Sequence, residues 1–239
     1  MAREFMPPLS LAVSTVIFAL RREGDDATVL SLPLVRRIRS PFEGAWALPG
    51  GPLGNEEDLA QAAGRNLRDT TGLEPRYLEQ LYAFGQPDRS PDNRVVSIVY
   101  WALVGGDEFA ATFDDENVQW FDADNLPALA FDHALIVEYA LWRLRNKLEY
   151  SRLAHGFLEP TFTLAQLRKV YEAVLKRRLD PGNFRRTVEA SGQVVPTGER
   201  LAGTNHRPPQ LYRFNTEQGL IDPDPLTIRT ALTHPGVAS

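Results

Sequence analysis

Over the first half of the chain, apolar residues fall in short β-rich blocks. Over much of the second they recur at helical spacing. Leu9–Leu20 and Thr28–Val35 are rich in β-branched residues and flank a polar turn around Gly24, which predicts a strand pair. Leu78–Phe84, Arg94–Val104 and Val118–Phe121 predict three more strands, with a loop over Pro87–Asn93. Glu56–Thr71 predicts a helix, and Gly72 suits a left-handed cap at its end. Strands interrupted by a helix in this order predict a mixed α/β sandwich.

A second helix is expected from Asp132, its cap, to about Leu148. Leu135, Ile136, Tyr139, Ala140, Trp142 and Leu144 form its apolar stripe. That stripe reads as core, with a dimer interface as the alternative. Thr163–Gln166 is a capping box, with Phe162 and Leu167 placed as a hydrophobic staple, and opens a helix ending near Arg178. Asp180-Pro181 starts another helix, which Gly192 ends. In it Phe184 and Val188 face inward, while Asn183, Arg185, Arg186 and Thr187 take other faces. Val194–Thr197 and Gln210–Phe214 read as strands. The loop Gly198–Pro209 between them carries Arg200, His206 and Arg207. Helix, turn, polar helix and basic-tipped hairpin is the order of a winged helix. Asn and Arg on its second helix have the donors and acceptors for base edges and phosphates. The alternative is an all-helical accessory domain with solvated arginines. The boundary is expected between Tyr150 and Pro160, dividing the chain into residues 1–150 and 151–239.

Composition narrows this picture. The 239 residues are 43% hydrophobic, enough for a core, and contain no cysteine, which excludes disulfides and thiolate metal sites. Four scattered histidines make no zinc motif. Leu9–Leu20 is too short to span a bilayer and lacks a basic leader, so a cytoplasmic protein without a membrane span is expected. The net charge of −5 is divided unevenly: residues 1–150 carry 14 basic and 23 acidic side chains, residues 151–239 carry 12 and 8. Such a split suggests two domains with different partners.

The segment Gly51–Leu73, GPLGNEEDLAQAAGRNLRDTTGL, carries the most specific chemistry. It matches the frame of a Nudix box, G-x5-E-x7-R-E-U-x-E-E-x-G-U with U aliphatic, at Gly51, Glu57, Arg65, Leu67, Gly72 and Leu73. Where that box has its three metal-binding glutamates, this chain has Asn66, Asp69 and Thr70. A hard divalent cation needs anionic oxygen, which an amide and a hydroxyl supply poorly. Weak or no Mg²⁺ binding, no required cofactor and little hydrolysis are therefore expected. Arg65 can pair with Asp69 at i, i+4, which alone reads as a solvated helix salt bridge; within the box frame it resembles the family's structural arginine, which braces the loop. Gly50 and Gly51 are expected to permit positive φ and close approach of a ligand. Gly64 lies inside the helix, where close packing is the only evident reason for it.

The chain resembles the Nudix-related transcriptional regulators. The resemblance rests on WALPGG (46–51), the altered box, FGQPDR (84–89), RVVSIVYWAL (94–103), LPALAFDHA (126–134), LDPGNFRRTVEASG (179–192) and RPPQLYRF (207–214). It implies an α+β chain: a Nudix-like α/β/α sandwich followed by a winged helix-turn-helix domain. It also implies a homodimeric repressor that binds double-stranded operator DNA near NAD-biosynthesis or sugar-utilisation genes. An effector, typically ADP-ribose, would bind the Nudix-like pocket and release the DNA. On this reading Arg37, Arg39 and Arg94 are candidate phosphate partners. Phe42, Trp46 and Phe84 are candidate stacking surfaces, with Gly50 and Gly51 beside the ligand. Asn183, Arg185, Arg186 and Thr187, with Arg200, His206 and Arg207 on the wing, would face DNA. Two alternatives remain: a hydrolase with a displaced metal site using Asp69, Glu56, Glu57 or a carboxylate from elsewhere in the chain, and a nucleotide-binding protein whose C-terminal domain contacts protein.

Overall fold

The computed structural model describes residues 9–23, 27–72, 74–105, 116–150, 152–202 and 208–215. Leu73, the turn at Gly24, His206, Arg207 and the tail beyond 215 lie outside them.

Strands β1 (Ser10–Glu23), β2 (Ala27–Arg36), β3 (Trp46–Ala47), β4 (Gly50–Pro52), β5 (Tyr77–Phe84), β6 (Val95–Val104) and β7 (Val118–Asp122) form one mixed sheet. Its order is β3-β2-β1-β6-β5, with β4 paired to β1 and β7 to β2. The central β1–β6 pair is parallel, from Ser10 opposite Val95 to Ala19 opposite Val104. Side chains alternate across a strand, and here each set meets its own layer. Val13, Ile17 and Ala19 of β1 join Tyr100, Ala102 and Val104 of β6 beneath helix α1 (Leu59–Thr71), against Ala62, Ala63 and Leu67. Val16, Phe18, Leu20, Val99, Trp101 and Leu103 point the other way. They pack on Ile136, Ala140, Leu144 and Leu148 of helix α2 (His133–Tyr150).

Helix α1 starts three residues later than the hydrophobic pattern predicts. Asp58 accepts from the Gln61 N–H at 2.8 Å, and the Gln61 side chain accepts from the Asp58 N–H at 2.9 Å. This reciprocal cap fixes the start. Gly72 ends the helix at φ 69°, as expected. Gly64 does not fit the close-packing account: an added Cβ would meet only Arg68 Nη1, at 3.5 Å.

The α2 stripe divides. Ile136, Ala140 and Leu144 are core, whereas Leu135 and Trp142 are 55% exposed. The expected carboxylate cap at Asp132 is also corrected, because both its oxygens accept from Arg89 instead.

A 3-10 turn (Arg152–Phe157) leads into α3 (Leu164–Leu175), α4 (Pro181–Ser191) and the hairpin β8 (Val194–Arg200) and β9 (Gln210–Phe214). The Thr163–Gln166 capping box forms, and Phe162 and Leu167 are both buried. Helix α3 stops at Leu175 rather than Arg178, because Lys176 adopts φ 53°. This is the winged helix-turn-helix arrangement, and the hairpin meets α3's entry through paired backbone bonds between Phe162 and Tyr212.

The two parts share one apolar cluster, which runs from Phe18 and Leu144 to Val170, Val174 and Tyr212. Polar links reinforce the junction. Arg76 donates to the Leu158 carbonyl and to Glu159, each at 2.7 Å. Its guanidinium occupies the space that a Cβ on Gly105 would need. Arg145 joins Asp124 to the Val174 carbonyl, and Lys176 pairs with Asp122 and Asp124. Among the described residues no helix is long and apolar enough to cross a membrane.

Candidate functional site

The loop before α1 is held by one carboxylate. Glu57 accepts from Arg65 Nε at 3.0 Å, from Arg65 Nη2 at 2.8 Å and from the Gly54 N–H at 2.8 Å. The Arg65 hydrogen bond is the main reason the Glu57 pKa falls to about 2, with the Gly54 bond next. Arg65 therefore braces the loop, and its Nη1 is 3.7 Å from exposed Asp69.

The other two box positions turn inward. Asn66 is buried, donates to the Val13 carbonyl at 3.0 Å and accepts from Arg65 at 3.3 Å. Thr70 is buried and donates to the Asn66 carbonyl at 2.7 Å. Magnesium would need anionic oxygens here. It would meet an amide and a hydroxyl already tied to the backbone, with one surface carboxylate, so these residues do not fit the metal.

Neither Gly50 nor Gly51 has positive φ, contrary to expectation. The close approach at Gly50 is to β1, where a Cβ would lie 2.7 Å from the Val13 oxygen. At Gly51 a Cβ would meet nothing within 4 Å.

A cavity of about 530 Å³ lies where the end of β5, the 86–91 loop, the 40–45 loop and the start of α2 converge. Its walls include Phe42, Tyr82, Phe84, Phe131 and Leu135, with Arg89 and Asp132 as the charged pair. Phe42 and Phe131 meet edge to face at 4.9 Å. Both adopt left-handed backbone, φ 62° and 57°, a conformation that costs about 1–3 kcal/mol for a bulky residue. Arg37 steadies them. It lies 4.6 Å from the Phe131 ring centre and donates to the Pro41 carbonyl at 2.7 Å. Burial lowers the Arg37 pKa. Arg89 and Asp132 form a two-pronged pair at 2.7 and 2.9 Å and cancel each other's charge, while Asp88 adds a second carboxylate to the cavity wall. Behind it, buried His133 accepts the Leu48 N–H on Nδ1 at 3.0 Å, and burial first of all drives its pKa down to about 4.

The expected ligand contacts are thus only partly brought together. Phe42 and Phe84 line the cavity. Trp46 does not: half-buried, it packs on Phe121 at 5.1 Å against the edge of the core. Among the described residues, Arg37 and Arg94 donate only to neutral carbonyls and pair with no carboxylate. Arg39 is exposed. Tyr82, Arg89, Phe131 and Asp132 were not singled out for binding. The clue lay in FGQPDR and AFDHA, where a charge follows aromatics in two separate loops.

On α4, Asp180 accepts the Asn183 N–H at 2.8 Å, Pro181 occupies the first turn, and Gly192 closes the helix at φ 67°. Val188 is buried and Phe184 packs on Tyr171 at 5.4 Å. Asn183, Arg185, Arg186 and Thr187 are all exposed. Arg186 donates to Asn183, and Arg185 Nε donates to Glu189 at 3.1 Å. Glu189 also accepts from the Tyr212 hydroxyl at 2.8 Å, a link the sequence reading missed. Arg200 ends β8 and donates to the Pro208 carbonyl at 2.8 Å. An exposed helix carrying one amide and two guanidiniums beside a hairpin can approach a duplex groove.

Comparison with known proteins places both regions. Residues 10–140 match the NUDIX domain, and residues 155–214 match the NrtR DNA-binding winged helix domain. An ADPR-responsive transcriptional repressor of Acinetobacter baylyi is 34% identical over 217 residues, covering 88% of this chain and 84% of the relative. The crystal structure of Shewanella oneidensis NrtR complexed with a 27mer DNA superposes with a TM-score of 0.72 at 31% identity. It covers 87% of this chain and 94% of that one. An ADP-ribose pyrophosphatase of Methanocaldococcus jannaschii is 40% identical over 111 residues, 46% of this chain and 66% of the relative. With its NUDIX domain followed by an NrtR DNA-binding winged helix, the chain belongs to the NrtR family.

Proposed function

We propose that the chain is a transcriptional repressor that binds operator DNA through α4 and its hairpin, and that an ADP-ribose-like dinucleotide bound in the Nudix domain releases it without turnover. One observation carries this reading. A Nudix fold whose box side chains Asn66 and Thr70 are tied to its own backbone is joined through a continuous core to a winged helix with an exposed Asn-Arg surface. The relative's description as an ADPR-responsive repressor supports the effector and the role. The end of α2 at Tyr150 and the 3-10 turn from Arg152 support a division at 150/151.

In this reading the cavity takes the planar base between Phe42, Phe84 and Phe131. Arg37, Arg39 and Arg94 supply positive charge for the diphosphate. Asn183, Arg186 and Thr187 face base edges and Arg200 faces a phosphate; His206 and Arg207, outside the described residues, are assigned to phosphates on their sequence alone. The exposed apolar group Tyr82, Leu135 and Trp142, with Tyr139 stacked on Trp142, supports a homodimer contact. The DNA-binding domain supports action in the cytoplasm. Release requires the effector to bind the DNA-incompetent form more tightly. The lever is α2, which contacts the sheet through Lys147 and Glu79 and α3 through Arg145.

The test is an anisotropy titration on duplexes from upstream of NAD-biosynthesis genes and of the chain's own gene, with and without ADP-ribose. Specific binding lost on adding ADP-ribose is expected, and Arg186→Ala should weaken it. Absence of specific binding at low salt would overturn the repressor reading. The kinship to an ADP-ribose pyrophosphatase supports one second reading, residual hydrolysis. Mg²⁺-dependent release of AMP from ADP-ribose would establish it.

A further inference from the structure

We infer that Tyr212 and Glu189 are positioning residues for Arg185, so that the hairpin sets the aim of one DNA-facing guanidinium. The inference rests on the repressor reading above and names a device within its DNA surface.

The starting point is an oddity of charge. Glu189 puts a carboxylate on the helix that carries the DNA-facing arginines, where it repels phosphate. It is held ionised: its pKa is lowered first by the Tyr212 hydroxyl bond and then by Arg185. Both donors converge on the same oxygen, Oε1, at 2.8 and 3.1 Å. Tyr212 is a fixed point. It is 5% exposed, belongs to the shared core, and its backbone is bonded in both directions to Phe162. Arg185 is the opposite, a 62% exposed side chain with full rotamer freedom but for this contact.

The geometry follows from helical spacing. Arg185 and Glu189 are i, i+4 and share one face. Val188 anchors the helix, and Arg186, two residues before it, projects to the opposite side. Arg185 therefore occupies the flank nearest β9. Its Nε–H is committed to Glu189, while its terminal nitrogens have no partner among the described residues. A guanidinium held by Nε presents its two terminal nitrogens as a fork, the arrangement that meets guanine O6/N7 or a phosphate in two bonds. Fixing that fork beforehand removes rotamer entropy that binding would otherwise cost. The carboxylate's repulsion is offset because it never faces DNA without its arginine.

A double-mutant cycle tests this with the full-length chain, a labelled duplex from upstream of its own gene and a scrambled duplex of equal length. Tyr212→Phe keeps the ring in the core and removes only the hydroxyl. It should weaken specific binding about fivefold, the scale of one hydrogen bond, and leave the salt slope unchanged because no charge is lost. Arg185→Ala should weaken it about tenfold or more, and Tyr212→Phe should then add less than about twofold. A hydroxyl that merely stabilises the hairpin would give the same loss in both backgrounds, and that result overturns the proposal. So does a Tyr212→Phe variant that binds like wild type. If Arg185→Ala binds normally, the inference falls while the repressor reading stands. If wild type does not distinguish the duplexes, both fall.

Discussion

Substituting His133 by Asn converts a buried hydrogen bond into a measurable pH dependence. The imidazole is 6% exposed and accepts the Leu48 N–H, so it must be neutral at Nδ1 in the folded chain. Burial lowers its pKa most, and the Arg89 and Arg37 charges add to that. Asp132 opposes them, and the balance is about 4 against an ordinary 6.5. That gap corresponds to about 3 kcal/mol between the two protonation states. The folded pKa is the lower one, so the unfolded chain binds the proton first. The contribution is complete above about pH 6.5 and is lost as pH falls, with about 2 kcal/mol gone by pH 5 and nearly all by pH 4. Asn places an amide oxygen where Nδ1 was and does not titrate. Urea unfolding of wild type and His133→Asn at pH 7, 6, 5 and 4 should show wild type falling more steeply, by about 3 kcal/mol in total. Parallel curves would refute the argument, as would an NMR titration of His133 with a midpoint near 6.5.

Three further experiments test packing at two glycines and the pairing of one buried charge. Gly64→Ala should raise stability by up to about 1 kcal/mol, the helix propensity difference, because the new methyl meets only Arg68 Nη1 at 3.5 Å; a lower melting temperature would show unseen crowding. Gly50→Ala should cost about 1–3 kcal/mol, since its Cβ would lie 2.7 Å from the Val13 oxygen; denaturant midpoints unchanged from wild type would show that β4 can shift. Arg89→Met should cost about 3–5 kcal/mol by leaving Asp132 without its ion pair. Adding Asp132→Leu should recover much of that loss in the same melts, and failure to recover would assign the pair a role beyond charge balance.

Where one local signal acted alone, the sequence was readable. The Asp180-Pro181 start, the Gly72 and Gly192 ends and the Thr163–Gln166 cap all formed, because each is decided within four residues. Misreadings arose where a distant partner competed. Asp132 looks like a helix cap, but Arg89, 43 residues earlier, takes both carboxylate oxygens. Glu57 looks helical, but precedes the helix and reaches forward eight residues to Arg65. The start is set by Asp58 and Gln61, whose capping-box spacing lies inside the longer box motif. Lys176 ended α3 early through a left-handed conformation that composition favours for glycine. In the candidate site, individual aromatics were legible and their convergence was not. Phe42 and Phe131 are 89 positions apart, and nothing in spacing told Trp46, which packs inward, from Phe42, which lines the cavity.

The apolar cluster that passes without interruption from the sheet to α3 and Tyr212 has a consequence for how the chain folds. Two regions that share buried side chains cannot unfold independently, because melting one strands the apolar surface of the other in water. Calorimetry should therefore record one cooperative transition instead of two. A fragment ending at residue 150 would present Phe18's face of the sheet without Val170 and Val174 and would be prone to self-association. The same continuity keeps α4 from swinging freely on a tether: its orientation is inherited from the sheet, and whatever tilts one element tilts the other.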